Sequence, residues 1–210
     1  MKKLISSLAV IAGFAVVAVA GAAPATLTLK AAPTTVVYGA TSALTGVLST
    51  QRSGQTITVQ AQECGKTKFS AVADAKTTTG GAFSFAAKPT VNTAYRAKFK
   101  GATSPNAGVT VKPQLRLKKL TSSRYRATLT AGVSFASKYV NLQRYNASTR
   151  KWKTVTRVTF KTGQASGAAP TTVSTGTKRV RLKKRLKVRL QLPQAQAGCY
   201  LATTSNSTRS

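Results

Sequence analysis

The sequence lacks histidine entirely, and Glu63 and Asp74 are its only carboxylate side chains. Without histidine the chain cannot assemble a Ser-His-Asp or Cys-His catalytic arrangement. Two cysteines and two carboxylates are also a poor ligand supply for zinc, and they offer a single carboxylate pair for glycoside hydrolysis. The composition therefore predicts a protein that is not an enzyme and that binds no metal or cofactor.

Long apolar runs are missing except at the N-terminus. Met1-Lys2-Lys3 precedes a stretch at 4–20 that is apolar apart from two serines and one glycine. Ala18-Val19-Ala20 follows the small-x-small cleavage pattern, and Ala23-Pro24-Ala25 is a second possibility. The alternatives are a buried first helix and an uncleaved anchor, but a bilayer span needs about 20 apolar residues. We therefore predict a signal peptide at 1–23, no transmembrane span, and a secreted, extracellular or cell-wall-associated mature protein.

Beyond residue 23, apolar residues alternate with polar ones instead of recurring at helical spacing. Leu27 with Leu29 and Ile57 with Val59 are examples, and turn signals such as Thr79-Gly80-Gly81 separate such segments. Short strands at near-regular spacing are typical of sandwiches and barrels. The pattern predicts an all-β fold of antiparallel β-sandwiches.

An internal repeat divides the mature chain. The same steps of three, three and two residues separate Phe69, Val72, Ala75 and Thr77 in one part and Trp152, Val155, Val158 and Phe160 in the other. Three-residue steps break strict alternation and predict a β-bulge in each of these strands. The repeat predicts two units, 24–112 and 113–210, with a proline at the boundary that ends one ladder before the next begins.

Three further correspondences extend the repeat. Residues 57–60 correspond to 140–143, residues 83–85 to 180–182, and residues 95–99 to 186–190. Each unit, at about 90 residues, is close in size to a small seven-stranded sandwich. We therefore expect each unit to be a small β-sandwich.

Five short segments carry a resemblance to a known family. They are Val37-Tyr38-Gly39, residues 80–85 and residues 89–96 in the first unit, with residues 140–144 and 152–155 in the second. Together they resemble tandem bacterial immunoglobulin-like repeats in secreted proteins, which are common among actinobacteria. The resemblance implies two Ig-like sandwiches that act as an adhesive, spacer or ligand-holding module, and it specifies a fold rather than a function.

Negative charge is nearly absent, whereas lysine and arginine number 33 and give a net charge of +31. Residues 24–112 carry a net +8, and residues 113–210 carry +21 with no acidic side chain. A small soluble domain usually needs a net charge of only about 2–8, and uncompensated charge destabilises a compact fold through self-repulsion. The excess therefore predicts polyanion binding, with solubility and protection of strand edges as the alternative.

Alternation assigns these cations to outward positions on the strands, including two neighbouring strands expected between 178 and 192. The predicted partners are anionic polymers at the cell surface or outside the cell, namely wall polymer, acidic polysaccharide or extracellular nucleic acid. No nucleic-acid-binding motif is present, so sequence-specific recognition is not expected. The predicted binding residues are Arg124, Arg126, Arg144, Lys151, Lys153, Arg179, Arg181, Lys183, Arg185, Lys187 and Arg189.

Four aromatic residues are candidates for stacking on bases or sugars among these cations, namely Tyr139, Tyr145, Trp152 and Tyr200. Tyr139 and Tyr145 have the opposite parity to the neighbouring apolar residues, so we expect them at the surface, where their rings can stack on bases or sugars. Trp152 is open to two interpretations, a stacking residue or a core residue at the repeat position of Phe69. The core position is favoured because buried aromatics commonly anchor sandwich interiors.

The two cysteines, Cys64 and Cys199, lie in different units. Oxidising compartments favour disulfide formation, and the sandwich topology brings both sulfur atoms near the junction of the two units. We therefore expect an interdomain disulfide, with two unrelated thiols as the alternative.

The end of the chain predicts a different kind of partner. The last strand is expected at 199–205, and a short strand there leaves an open edge that accepts a strand from another protein. The second functional hypothesis is accordingly a structural or adhesive envelope spacer that binds a protein partner.

Overall fold

The computed structural model describes residues 24–168 and 170–210, so the predicted signal peptide at 1–23 lies outside the described residues. Among the residues that are described, no helix has the length and apolar character required to cross a bilayer. The same residues contain no group of three or more metal-ligating side chains.

Residues 24–112 fold into two sheets. Their strands are β1 (Lys30–Ala32), β2 (Thr35–Val37), β3 (Ser42–Val47), β4 (Thr56–Glu63), β5 (Ser70–Lys76), β6 (Ala82–Ala87), β7 (Thr93–Phe99), β8 (Ala102–Thr103) and β9 (Ala107–Lys112), with a 3-10 turn at Thr79–Gly81. One sheet has the order β1-β3-β6, and the other has the order β2-β9-β7-β4-β5 with β8 beside β7. The pairing of β2 with β9 is parallel.

The described residues of 113–210 form two four-stranded sheets. The strands are β10 (Gln114–Thr121), β11 (Arg124–Ala131), β12 (Tyr139–Asn146), β13 (Lys151–Thr159), β14 (Thr162–Ala165), β15 (Thr172–Arg179), β16 (Lys187–Leu192) and β17 (Thr203–Arg209), and the short helix α1 (Gln194–Ala197) precedes β17. The strand orders are β10-β11-β15-β14 and β13-β12-β16-β17.

Alternation along the strands decides which side chains enter the core. Ile57 and Val59 of β4 are fully buried, and so are Val188, Leu190 and Leu192 of β16. These residues belong to a continuous cluster of buried apolar side chains, whose removal from water stabilises the fold by about 25 cal/mol per Å². The prediction of an all-β sandwich fold is confirmed.

Every strand pairing in the described part of the chain joins strands of the same half. β9 ends at Lys112 and β10 begins at Gln114, so Pro113 is the residue between the two ladders. Proline cannot donate a ladder hydrogen bond, which suits this position. The division into two domains at 112/113 stays a prediction, because strand pairing alone does not establish independent folding units.

The repeat extends to the irregularities of the sheets. The β4–β5 ladder shifts register between Val59 and Gln60, leaving Val72 unpaired. The β12–β13 ladder shifts between Leu142 and Gln143, leaving Val155 unpaired. The predicted bulges are therefore confirmed, and they occupy equivalent positions in the two halves.

Two of the predicted correspondences are wrong. Ala97 lies opposite Val59, and Leu190 lies opposite Leu142, so residues 95–99 correspond to 188–192, two positions later than predicted. β6 pairs with β3, and the equivalent strand is β15, which pairs with β11. β15 ends at Arg179, and residues 180–182 lie beyond it. Apolar and charged residues alternate in the same way before and after the turn between β15 and β16. The sequence pattern therefore did not show where one strand ends and the next begins.

The terminal strand differs from the expectation. β17 spans seven residues, Thr203–Arg209, instead of 199–205, and it pairs with β16 from Lys187 to Leu192. On the side of β10, the Asn206 side chain accepts a hydrogen bond from the Leu117 N–H (2.9 Å) and donates one to the Leu117 carbonyl (3.1 Å). The Asn206 amide thus contacts the β10 backbone at this edge, and strand addition by a partner stays a prediction.

Two buried tyrosines provide a matched test of the second-half core. The Tyr200 hydroxyl accepts a hydrogen bond from the Gly132 N–H at 2.9 Å, and burial raises the pKa of Tyr200 to about 12. The buried Tyr125 hydroxyl has no hydrogen-bond partner in the described protein, and burial likewise raises the pKa of Tyr125. The hydrogen bond from Gly132 therefore compensates the burial of the Tyr200 hydroxyl, whereas nothing compensates the burial of the Tyr125 hydroxyl.

We expect Tyr125→Phe to raise the free energy of unfolding by about 1 kcal/mol, because it removes a buried unpaired hydroxyl. Tyr200→Phe should lower it by about 1 kcal/mol, because the Gly132 N–H loses its acceptor. Equilibrium urea unfolding at pH 7 measures both variants. Equal destabilisation by the two substitutions would contradict the assignment of the unpaired group to Tyr125.

Candidate polyanion-binding surface

Five exposed cations lie on the outer face of the β10-β11-β15 sheet, and we call this set the cationic face. They alternate with buried residues such as Leu115, Leu117 and Tyr125, because successive side chains of a strand point to opposite sides. The inward apolar side chains thereby direct the charged side chains outward. The members are Arg116, Lys118, Arg124, Arg126 and Arg179.

Strand register places cations of the cationic face directly opposite one another. Lys118 of β10 lies opposite Arg126 of β11, and Arg124 of β11 lies opposite Arg179 of β15. Directly opposed side chains have Cβ atoms about 4.5–5.5 Å apart, and like charges at that separation are destabilising. No acidic side chain exists in residues 113–210 to neutralise them.

The predicted cations between 179 and 187 occupy a connection rather than a strand pair. Residues 180–186 link β15 to β16, with a turn at Lys184 and Arg185. Val180 and Leu182 pack against the core, while Arg181, Lys183 and Arg185 are exposed. The expectation of two neighbouring strands between 178 and 192 is therefore wrong at 180–186, where no strand forms. The predicted alternation of exposure is correct because the apolar residues still anchor the segment.

The remaining predicted cations lie on the other sheet, so the predicted set does not form one patch. Lys187 and Arg189 share a parity that points away from the buried Val188. Arg144 lies opposite both Val188 and Lys153, so the side chains of Arg144 and Lys153 share the inward parity at the end of the β12–β13 hairpin. Arg144 is half-buried, and Lys151 and Lys153 are exposed.

Trp152 lies on the outer side of the β13-β12-β16-β17 sheet, half-buried, so its predicted core position is wrong. The Arg189 guanidinium lies 4.1 Å from the Trp152 ring centroid, and its Nε–H donates to Gln143 Oε1 at 3.0 Å. Burial lowers the pKa of Arg189. The Arg189 guanidinium therefore contacts Trp152 and Gln143 within the protein instead of projecting freely into solvent.

The same three-residue arrangement occurs in the first half. Arg96 lies 4.1 Å from the Phe69 ring centroid and donates from Nε to Gln60 Oε1 at 2.8 Å. Each arginine thus hydrogen-bonds a glutamine of the adjacent strand and stacks on a ring beyond that strand, Trp152 of β13 in one half and Phe69, immediately before β5, in the other. The repetition indicates that Trp152 and Arg189 stabilise the sheet, as their counterparts do.

The two predicted stacking residues are both half-buried. The Arg157 guanidinium lies 4.4 Å from the Tyr139 ring centroid, so one face of that ring already has a partner. Tyr145 contacts Trp152 with the ring centroids 5.3 Å apart and the planes tilted by 59°. Stacking of these rings on a ligand stays a prediction.

We expect Arg189→Ala to expose Trp152, the sole tryptophan, and to lower the free energy of unfolding by about 1 kcal/mol through loss of the stacked and hydrogen-bonded guanidinium. Acrylamide quenching of tryptophan fluorescence should increase and the emission should shift to longer wavelength. Lys187→Ala removes an exposed cation of the same strand parity and serves as the control. Identical quenching in both variants would contradict the stacked geometry.

The predicted disulfide between Cys64 and Cys199 is confirmed, with the two Cα atoms 5.6 Å apart. Backbone hydrogen bonds surround it: the Cys64 N–H donates to the Asn92 carbonyl (2.8 Å), and the Asn92 N–H donates to the Cys199 carbonyl (3.0 Å). The Leu201 N–H also donates to the Val111 carbonyl (2.9 Å). The two halves are thus joined covalently and by backbone contacts at one place.

Sequence reasoning missed several polar residues near the cationic face. Lys119, Ser122 and Ser123 belong to the β10–β11 hairpin, and Lys184 belongs to the connection at 180–186. The signal available for them was the run of adjacent cations at 118–119 and 183–185, which marks the ends of strands.

Scans with protein-family models and a search of curated proteins found no match to this chain.

Proposed function

We propose that this protein is a non-catalytic, exported module that holds anionic polymers on the cationic outer surface of residues 113–210. On this proposal 24–112 and 113–210 are two Ig-like domains, and the mature protein lies outside the cytoplasm or at the cell wall. Cations displaced from the polymer when its charges meet arginine and lysine provide the free energy of binding. Such binding discriminates poorly among wall polymer, acidic polysaccharide and nucleic acid.

The observation that carries this proposal is the direct opposition of like charges in the cationic face. Lys118 faces Arg126, and Arg124 faces Arg179, and each such pair costs up to about 1 kcal/mol of stability. Solubility requires no such arrangement, because dispersed cations provide it without opposed pairs. A polyanion relieves the repulsion, so the cost becomes part of the binding free energy.

A second candidate function, a rigid spacer in the cell envelope, is favoured by the junction between the halves. Two linked domains normally move relative to one another, whereas here the Cys64–Cys199 disulfide and the Asn92 hydrogen bonds restrain them. The spacer hypothesis requires a protein partner, for which edge-strand addition at β17 is the proposed route.

Retention on immobilised heparin tests the first proposal. We expect elution only at high salt, a linear fall of log affinity with log salt concentration, and no retention on an uncharged dextran matrix. Similar retention on both matrices, or retention that salt does not change, would favour the spacer hypothesis instead.

A further inference from the structure

A cavity of about 660 Å³ lies beside the cationic face, where the β10–β11 hairpin meets the connection between β15 and β16. Its lining contains five cations and no acidic side chain: Lys119, Arg179, Arg181, Lys184 and Arg185. Ser122, Ser123 and Ser210 also line it. The main-chain carboxyl oxygen of Ser210 accepts a hydrogen bond from the Arg185 N–H (3.2 Å), so it offsets one of the five positive charges. We call this cavity the anion pocket, and its volume is within the range of small-ligand sites.

The walls of the anion pocket are held by hydrogen bonds between distant parts of the chain. The Val180 N–H donates to the Ser123 carbonyl at 2.7 Å, which joins the hairpin to the end of β15. The Leu186 N–H donates to Ser210 Oγ (3.0 Å), and that hydroxyl donates to the Lys183 carbonyl (2.6 Å). Leu182 packs against the core beneath the connection. The cations therefore project from an anchored frame.

Concave geometry changes what these cations do. On the flat cationic face each side chain contacts a separate charge of a polymer, whereas in a cleft several side chains direct their fields at one point. Arginine donates two parallel hydrogen bonds to a planar pair of oxygens, and serine hydroxyls donate to others. A tetrahedral oxyanion with several acceptor oxygens uses such donors better than a carboxylate, which has only two oxygens.

We propose that the anion pocket binds the phosphate or sulfate ester group of an anionic polymer. The inference rests on the proposed function, and it names the ligand group that the surface selects. Arg179 belongs both to the cationic face and to the pocket, so a polymer lying on the face reaches the pocket without a gap. A carboxylate-only polymer binds the face and leaves the pocket empty.

Inorganic pyrophosphate and inorganic sulfate are the probes for this site, titrated into the disulfide-bonded protein at constant ionic strength of 0.15 M, roughly the physiological value, and followed by calorimetry. We expect saturable one-site binding of at least one probe. The triple variant Lys119→Gln/Arg181→Gln/Lys184→Gln should weaken it at least tenfold, a loss of about 1.4 kcal/mol. Dimethyl phosphate and methyl sulfate, which carry the same single negative charge, then distinguish the two esters: tighter binding of dimethyl phosphate indicates a phosphate ester, and tighter binding of methyl sulfate indicates a sulfate ester.

The matched control is Arg116→Gln/Lys118→Gln/Arg126→Gln, which removes the same charge from the cationic face but leaves the pocket intact. It should change probe affinity less than threefold while reducing retention on heparin. Equal weakening by the two triple variants, or absence of saturable binding while heparin retention persists, would overturn the pocket and leave the proposed function standing. If the unaltered protein shows neither pyrophosphate binding nor salt-dependent retention on heparin, both the anion pocket and the proposed function are overturned.

Discussion

Replacing all five members of the cationic face by glutamine is expected to lower affinity for single-stranded DNA roughly a hundredfold at physiological salt. Each phosphate contact contributes about −0.7 to the slope of log affinity against log salt concentration for single strands, so the slope should become shallower by up to about 3.5. The same variant should gain about 1 kcal/mol in free energy of unfolding, because two opposed like-charge pairs disappear. Fluorescence anisotropy of a labelled oligothymidine and urea unfolding measure the two effects.

The expected loss of DNA affinity together with the gain in free energy of unfolding distinguishes a binding surface from one that stabilises the fold. A surface kept for folding would lose stability when its cations are removed, whereas a binding surface gains stability and loses affinity. The matched control replaces five exposed cations of the first half by glutamine: Lys30, Lys66, Lys68, Lys76 and Lys88. If this control weakens binding as much as the first variant, net charge rather than the cationic face determines affinity.

The largest stability effect is expected from the junction. Cys64→Ala/Cys199→Ala should lower the free energy of unfolding by about 4 kcal/mol, because the disulfide closes a long loop in the unfolded chain. The cysteines are 135 residues apart in sequence, and Cys64 is exposed while Cys199 is half-buried, so the substitutions remove little packing. Urea unfolding of the oxidised protein and the double variant gives the difference.

Reduction of the unaltered protein provides the control for this prediction. Dithiothreitol should bring its unfolding curve to that of the double variant and should leave the double variant unchanged. A loss below about 1 kcal/mol would mean that loop closure contributes little to stability and would contradict this prediction.

The strand pattern could be predicted from the sequence because it depends on regular periodicity, and the disulfide could be predicted because export favours the pairing of cysteines. Alternation at Ile57–Val59 and Val188–Leu190 identifies core residues without knowledge of strand partners. The disulfide prediction rests on the predicted export of the chain and on the expected ends of the strands, and the separation of 5.6 Å between the two Cα atoms agrees with it. Even in the connection at 180–186, where no strand forms, the apolar residues were correctly expected to face the core.

Trp152 shows why the remaining predictions failed. Strict alternation from the buried Val158 carries Trp152 inward, but the bulge at Val155 adds one residue and reverses the parity beyond it. The bulge itself was predicted, yet its effect on side-chain direction requires its exact position. A slip of one residue moves a side chain to the other face of a sheet, so Trp152 faces outward beside Arg189.

The anion pocket could not be predicted from local patterns. Its cations come from the β10–β11 hairpin, the end of β15 and the connection at 180–186, and the pairing of β11 with β15, which sets Arg124 opposite Arg179, brings these segments together. Strand register between residues more than fifty positions apart is a property of the whole sandwich. Sequence alone identified Arg181 and Arg185 of the connection but neither Lys184 nor the concave site that these cations share with the hairpin.

A residue-by-residue map of polyanion contact tests the central claim most directly. Two-dimensional amide NMR of the isotope-labelled protein, titrated with a short heparin oligosaccharide, reports which backbone groups respond. We predict that the largest shift changes fall on β10, β11, the end of β15 and residues 180–186, and that they reverse on addition of salt. Shift changes confined to residues 24–112, or spread evenly over both halves, would contradict a binding surface on the second half.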